Sequence, residues 1–543
     1  MRKRTVIANF MAILLSGALL SSGCASGGKG ANSPGKELNV GAVGVAQTMD
    51  PQKSSDSSSI FCVDPFVGRL YREDEKGGVL PDLAEGYEVS EDGKTYTFTL
   101  LSGIRYSNGE PIKAKDFVYG MRRLADPEVG SSAVFLITDS CKVRNAKEVN
   151  EGKLPPEELG VKAPDDRTFV MELEAPCPFL TFLLSKPNFS PCDEDFVKKC
   201  GAKYGTSPET ILSSGPFYVD RYEPMGIQTH YSPNPYYIHR DSVKLSGINI
   251  QQVADVQQGQ MVYRAGGIDI VAVVREYREL SEGDTELLSR TGGQIAYLEG
   301  NFDRCEAWKN KNIRLALSKA TDRESLVRNY YKGCQPLYGL VPATFALDPD
   351  GSDYVKDPGR YEDVSGYDPA EAREYLRKGL EELGVEEITF NVIVQSGKQD
   401  ILEILKNMYE TNLPGVHIEF KTMPFGQYLE TRTKGDFEMS YMGWAADYPD
   451  PDAFLQLVKP GAQGNLCRYD NDEFASVFEK SEREMDPVKR SELLHEAEDI
   501  AMNDIAILPI YAKGGDWLIA DNIDGAFPDF GGMVVHFAYA EKR

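Results

Sequence analysis

The chain has 543 residues, of which 41% are hydrophobic and 10% aromatic, with a mean hydropathy of −0.37. That balance describes a globular protein with sizeable cores, and it excludes a disordered chain and a polytopic membrane protein. Its 59 basic residues against 84 acidic ones leave a net charge of −25, which repels phosphate backbones and argues against nucleic-acid binding.

At about 150 residues per domain the length allows three or four folding units. Arg2, Lys3 and Arg4 precede an apolar run from Val6 to Leu20. The run is shorter than the roughly 20 residues a spanning helix needs, but it suits the core of a signal peptide. Ser21, Ser22 and Gly23 then lead to Cys24, a pattern that resembles a bacterial lipobox with Ser21 in place of the usual Leu. The resemblance implies cleavage before Cys24 and lipidation of its thiol; an ordinary secretory signal cut nearby is the alternative. Ala25 to Gly35 (ASGGKGANSPG) reads as a flexible tether. A lipid-anchored protein on the outer side of a membrane is expected.

Leu38 to Ala46 predicts a buried strand, and Tyr87 to Leu101 predicts a hairpin turning at Asp92-Gly93. Helical spacing runs from Lys115 to Leu124 through Phe117, Val118, Met121 and Leu124. Arg167 to Leu173 predicts a strand, and Ile313 to Tyr331 one amphipathic helix. Asp368-Pro369 opens a further helix. Helices at Ile401–Asn412 and Asp486–Met502 alternate with strands at Ile388–Val394, His417–Thr422 and Ile505–Tyr511. Alternation of this kind predicts α/β lobes.

Motifs for catalysis are missing. His495-Glu496 opens like a zinc-protease motif, but Asp499 stands where the second His is needed. The five histidines and the cysteines show no metal-ligand spacing, so no metal and no cofactor is expected. Cys192 and Cys200 are close enough in sequence to close a small disulfide loop; the other thiols read equally well as small buried hydrophobes.

The run from Leu80 to Pro127 (opening LPDLAEGYEVSEDGKTYTF) resembles the signature block of the peptide-type solute-binding proteins of ABC importers, family 5. The likeness continues in family order at 163–173, 213–222, 234–241, 266–271, 312–327, 367–376, 441–457 and 495–511. Gly443-Trp444-Ala445-Ala446-Asp447-Tyr448-Pro449-Asp450-Pro451 is similar to the segment with which oligopeptide-binding members hold a peptide's amino terminus. Carried over, Asp447 meets the ammonium, Trp444 lines the adjacent pocket, and the backbone of Gly443 and Ala445 pairs with the peptide as an added strand. Physics favours the same arrangement. A receptor that accepts many side chains relies on what all peptides share, the backbone and the terminal charge. On spacing alone the segment could equally be a rigid loop with Asp447 capping a turn.

The resemblance implies an α/β, two-lobed periplasmic-binding-protein-like fold of the large class, hinged and closing over its ligand. Lobe I is expected from residues 36–63, 213–297 and 512–543, with 64–212 inserted as an extra subdomain, and lobe II from 298–511. Crossing strands are expected near Tyr297–Asn301 and Ile507–Lys513. The implied protein is a monomer and not an enzyme. It captures oligopeptides outside the cytoplasm and hands them to an ABC permease. A same-fold receptor for a dipeptide, a nickel–chelator complex, a sugar or a signalling peptide is the alternative, and an envelope hydrolase the remote one.

Overall fold

Residues 36–543, apart from 225, 274–277, 279–285 and 463, are described by the computed structural model. Cys24, the signal segment and the tether lie outside the described residues. Among these residues no helix is long and apolar enough to cross a membrane.

One 11-stranded sheet organises the molecule. Its strands in chain order are β1 (Glu37–Val43), β2 (Phe217–Arg221), β3 (Gln228–Pro233), β4 (Gly247–Val253), β5 (Ile270–Val273) and β6 (Leu287–Gly300), followed by β7 (Ile388–Gln395), β8 (Val416–Met423), β9 (Met439–Ala445) and β10 (Leu508–Ile519), with Gln335–Pro336 adding a short strand on β10. The spatial order is β8-β7-β9-β6-β10-β5-β1-β4-β3-β2. β1 runs parallel to β4 and β5 and carries the buried run from Val40 to Ala42, as a strand covered on both faces requires. A separate four-stranded sheet uses Ala84–Val89, Thr95–Leu100, Thr168–Glu172 and Val161–Lys162. Its first two strands turn through Gly93 at φ +69°, a conformation glycine adopts without strain.

Several elements form where their spacing predicts. The helix at Ala114–Ala125 buries Phe117, Val118, Met121 and Leu124. Pro369 opens the helix Pro369–Leu383, whose Asp368 side chain accepts from the amides of Ala370 and Glu371. The single helix expected over Ile313–Tyr331 is instead two, Lys311–Lys319 and Arg323–Tyr330. Asp322 leaves the helical conformation and caps the second through the Ser325 amide, because a short carboxylate satisfies a free helix N–H better than a continued turn does.

β6 and β10 pass through both halves of the sheet. Pairing runs from Leu287–Arg290 against Gly515–Leu518 and resumes at Gln294 against Lys513. The pairing is interrupted at Thr291–Gly293 opposite Gly514, on the same two strands that carry the expected segments near Tyr297–Asn301 and Ile507–Lys513. Glycine sets the place. A Cβ on Gly514 would collide with the Arg290 carbonyl oxygen, and one on Gly293 with the backbone of Gly531.

Two large cores result. Leu38, Val40, Phe61, Phe217, Ile248 and Phe537 belong to one. The other runs from Phe98, Phe117 and Leu180 to Phe390, Phe454 and Ile510. Phe179 stacks on Tyr448 at 3.7 Å and Phe530 edges onto Phe182 at 5.0 Å, so residues of the 64–212 segment share this core with residues of both 298–511 and 512–543. Cys192 and Cys200, considered above as a disulfide, are both free thiols. The buried Cys192 sulfur faces Tyr204 and Arg123 rather than Cys200.

Candidate functional site

β9 ends in the Gly443–Pro451 segment, and its pairing leaves one edge open. β9 pairs with β6 along its whole length, but with β7 only at Met439 and Ser440. In an antiparallel pair, alternate residues turn their N–H and C=O groups to opposite sides. The Ala446 amide donates to the Gly293 carbonyl at 3.0 Å, which turns Ala446, Trp444 and Met442 towards β6. Gly443 and Ala445 thus present their backbone groups to the other side, past the last β7 pair, where no described strand lies. Both are exposed. A buried pair under this strand, Arg432 Nε to Glu299 Oε1 at 2.9 Å with Ser440 Oγ on the same oxygen at 2.7 Å, fixes β9 against β6.

Trp444 is held by its indole N–H, which donates to the Ala453 carbonyl at 3.0 Å. Asp450, not Asp447, shapes the turn that follows. Its carboxylate accepts from the Asp452 amide at 3.0 Å and from both terminal nitrogens of Arg490 at 2.7 and 2.9 Å. Asp447 is left half-buried, and among the described residues its carboxylate has no hydrogen-bond or ion-pair partner. Burial raises its pKa above the usual aspartate value, and the Lys186 charge opposes this only in part.

Asp447 and Trp444 line a cavity of about 700 Å³. Another wall comes from the 64–212 segment, through Phe135, Thr138–Lys142, Ala175, Pro176, Pro178 and Phe179. The stretch after Pro127 lies outside the segments that carry the family likeness in the sequence. A single π-helical turn at Leu136–Ser140 brings it to the cavity, and no periodicity in the sequence marks such a turn. Phe179 was also missed; only its stacking on Tyr448 identifies it. Among the described residues no group of three His, Cys, Asp or Glu could hold a metal ion.

The arrangement joins a carboxylate without a hydrogen-bond partner, an aromatic wall and a free strand edge beside a cavity large enough for a small guest. Comparison with known proteins gives it a family. Residues 78–465 match the bacterial extracellular solute-binding proteins, family 5, middle region. The chain is 30% identical to a dipeptide-binding protein of Lactococcus lactis subsp. cremoris, covering 97% of each. It is similar in structure to Listeria monocytogenes OppA bound to peptide, with TM-score 0.69 and 29% identity over 94% of this chain and 99% of that one. It shares the fold of the unliganded open form of the murein tripeptide-binding protein MppA, with TM-score 0.81 and 24% identity over 94% and 98%. With its two-lobed α/β sheet and a family match over most of its length, the chain belongs to the family 5 bacterial extracellular solute-binding proteins.

Proposed function

We propose that the protein is an extracytoplasmic receptor that captures oligopeptides between its lobes and delivers them to an ABC permease. One observation carries the reading: a desolvated, partnerless Asp447 stands at the end of a strand whose outward backbone at Gly443 and Ala445 is unpaired. An extended peptide satisfies both at once, its ammonium on Asp447 and its backbone on the β9 edge. Trp444 and Phe179 supply apolar surface for the first side chains. Relatives named as dipeptide- and oligopeptide-binding proteins support the same cargo class.

No nucleophile–base pair stands among the described residues that line the cavity, and the role assigned is binding without chemistry. Residues 36–63, 213–297 and 512–543 act as lobe I with 64–212 inserted, and 298–511 as lobe II. Cys24 carries the lipid and Ala25–Gly35 lets the body move over the membrane. The reading is tested by titration calorimetry with one peptide in free-amino and N-acetylated forms. The free form is expected to bind at least about tenfold more tightly, since it alone forms the charge-assisted bond. Equal affinity defeats the assignment of Asp447.

A further inference from the structure

Another cavity, of about 390 Å³, shares no lining residue with the one at Asp447. Two hairpins border it. One pairs Tyr71–Glu73 with Val79–Pro81, the other Phe527–Pro528 with Val535–His536. Val67, Leu80, Pro216, Phe527 and Ala538 give it an apolar wall.

Arg72 is the half-buried cation that this cavity leaves without an anion. Its guanidinium lies over the Tyr539 ring at 4.5 Å, and among the described residues it has no hydrogen-bond or ion-pair partner. Tyr539 is itself fixed, since its hydroxyl meets that of Tyr237, which donates to Asp82. Stacking thus orients the guanidinium while its donors stay unspent. The buried and half-buried acids of the lining are already engaged. Asp64 accepts from Arg69 Nη2 at 2.5 Å and lies 3.4 Å from His536 Nδ1. Asp74 accepts from the amides of Lys76 and Gly78, each at 2.8 Å, closing its own turn. Asp82 also accepts from the Arg69 amide at 2.8 Å. Glu73 lies 3.7 Å from His536 Nε2. Burial works against the His536 charge, but Asp64 and Glu73 outweigh it and raise the pKa to about 10, so this residue answers both acids. Glu75 and Lys76 are exposed neighbours of opposite sign. A guanidinium drawn partly out of water without a counter-charge favours an arriving anion, and the apolar wall suits a hydrocarbon body.

Both hairpins also reach the interruption between β6 and β10. A Cβ on Gly77, in the first turn, would stand 3.3 Å from Arg290 Nη2. In the second turn Gly531 packs on Gly293 and the Gly532 carbonyl on Gly515, where it accepts from the Trp517 indole at 2.9 Å.

We propose that this cavity is an effector site for a small carboxylate with an apolar body, held by Arg72, and that its occupancy braces the two hairpins against the interruption. Such a carboxylate comes from a short fatty acid or from a free apolar amino acid. The site stands whether or not the guest in the cleft is a peptide. Anything that changes the pairing at the interruption is then felt at Arg72, because coupling between two sites is reciprocal.

Calorimetry on the purified protein tests the site, with 4-methylpentanoate, leucine and 4-methylpentanamide as probes. The pentanoate or leucine is expected to bind about tenfold more tightly than the neutral amide. A lead for leucine identifies an amino acid as the source, and a lead for the pentanoate a fatty acid. Arg72→Gln brings the ratio of acid to amide near one. Should Arg72→Gln not fold, Leu80→Glu at the exposed rim is expected to weaken the acid at least about fivefold while Leu80→Gln does not. Hydrogen exchange reads the bracing: the amides of Arg290–Gln294 and Lys513–Gly515 are expected to slow about threefold or more with the acid bound, and not in Arg72→Gln. Equal binding of acid and amide, or a ratio that survives Arg72→Gln in folded protein, overturns the site. Exchange that stays unchanged at saturation overturns its link to the two strands.

Discussion

Asp447 is an acid whose surroundings work against its own charge, and that makes its two roles separable. With the folded pKa raised above the unfolded value near 3.9, the native state holds the proton more tightly than the unfolded chain does. Its contribution to stability is therefore lost as pH rises through the window from about 3.9 upward. Asp447→Asn removes that penalty and the ammonium's partner together. The variant is expected to melt at or above the wild-type temperature near neutral pH, with the gap closing towards pH 4, and to bind free-amino peptides about tenfold to a hundredfold more weakly. Differential scanning fluorimetry against pH, beside calorimetry, reads both; a variant that melts lower at neutral pH would show that the carboxylate is structural. Asp447 was legible because it sits in a contiguous motif. Phe179 was not, since only the fold sets its ring against Tyr448.

Helix Pro487–Asn503 carries the clearest pH-sensitive element outside the cleft. Its Glu498 is fully buried and accepts through Oε1 from the amides of Leu340 and Val341, each at 2.9 Å. Burial outweighs these bonds and raises the carboxyl to about 7. The stability this group contributes is full below its unfolded value of about 4.3 and falls as pH rises through 7. Glu498→Gln keeps the accepting oxygen and drops the charge. It is expected to flatten the decline in melting temperature between pH 5 and pH 8, a difference on the order of 3 kcal/mol; parallel wild-type and variant curves would refute it. Elements of this kind differ in how far sequence reveals them. The Gly93 hairpin and the Asp368-Pro369 helix start were legible because local chemistry decides them. The break at Asp322 was not, because apolar spacing continues through it while the cap ends the helix. The interruption of β6–β10 pairing between Arg290 and Gln294 was not legible, because register depends on partners distant in sequence.

At the scale of the whole molecule, the interruption between β6 and β10 is the place we propose for a change of angle between the lobes. β6 and β10 connect the two halves of the sheet, and their pairing lapses only between Arg290 and Gln294 and, more slightly, between Ala296 and Tyr297. Gly293, Gly514, Gly515 and Gly532 let the backbones there approach more closely than any side chain permits. A guest on the β9 edge that contacts both lobes more fully in a closed form would draw the open–closed equilibrium towards that form. Small-angle X-ray scattering is expected to show a smaller radius of gyration once a peptide that binds by calorimetry is present at saturation. Gly514→Ala sets a methyl against the Arg290 carbonyl oxygen and forces the strands apart. The substitution should lower stability by about 1–3 kcal/mol, as overpacking does elsewhere, and blunt the compaction while Asp447 stays in place. If the wild type binds peptide yet keeps its open radius, closure is not how this receptor holds its guest, and capture must rest on β9 and Asp447 alone.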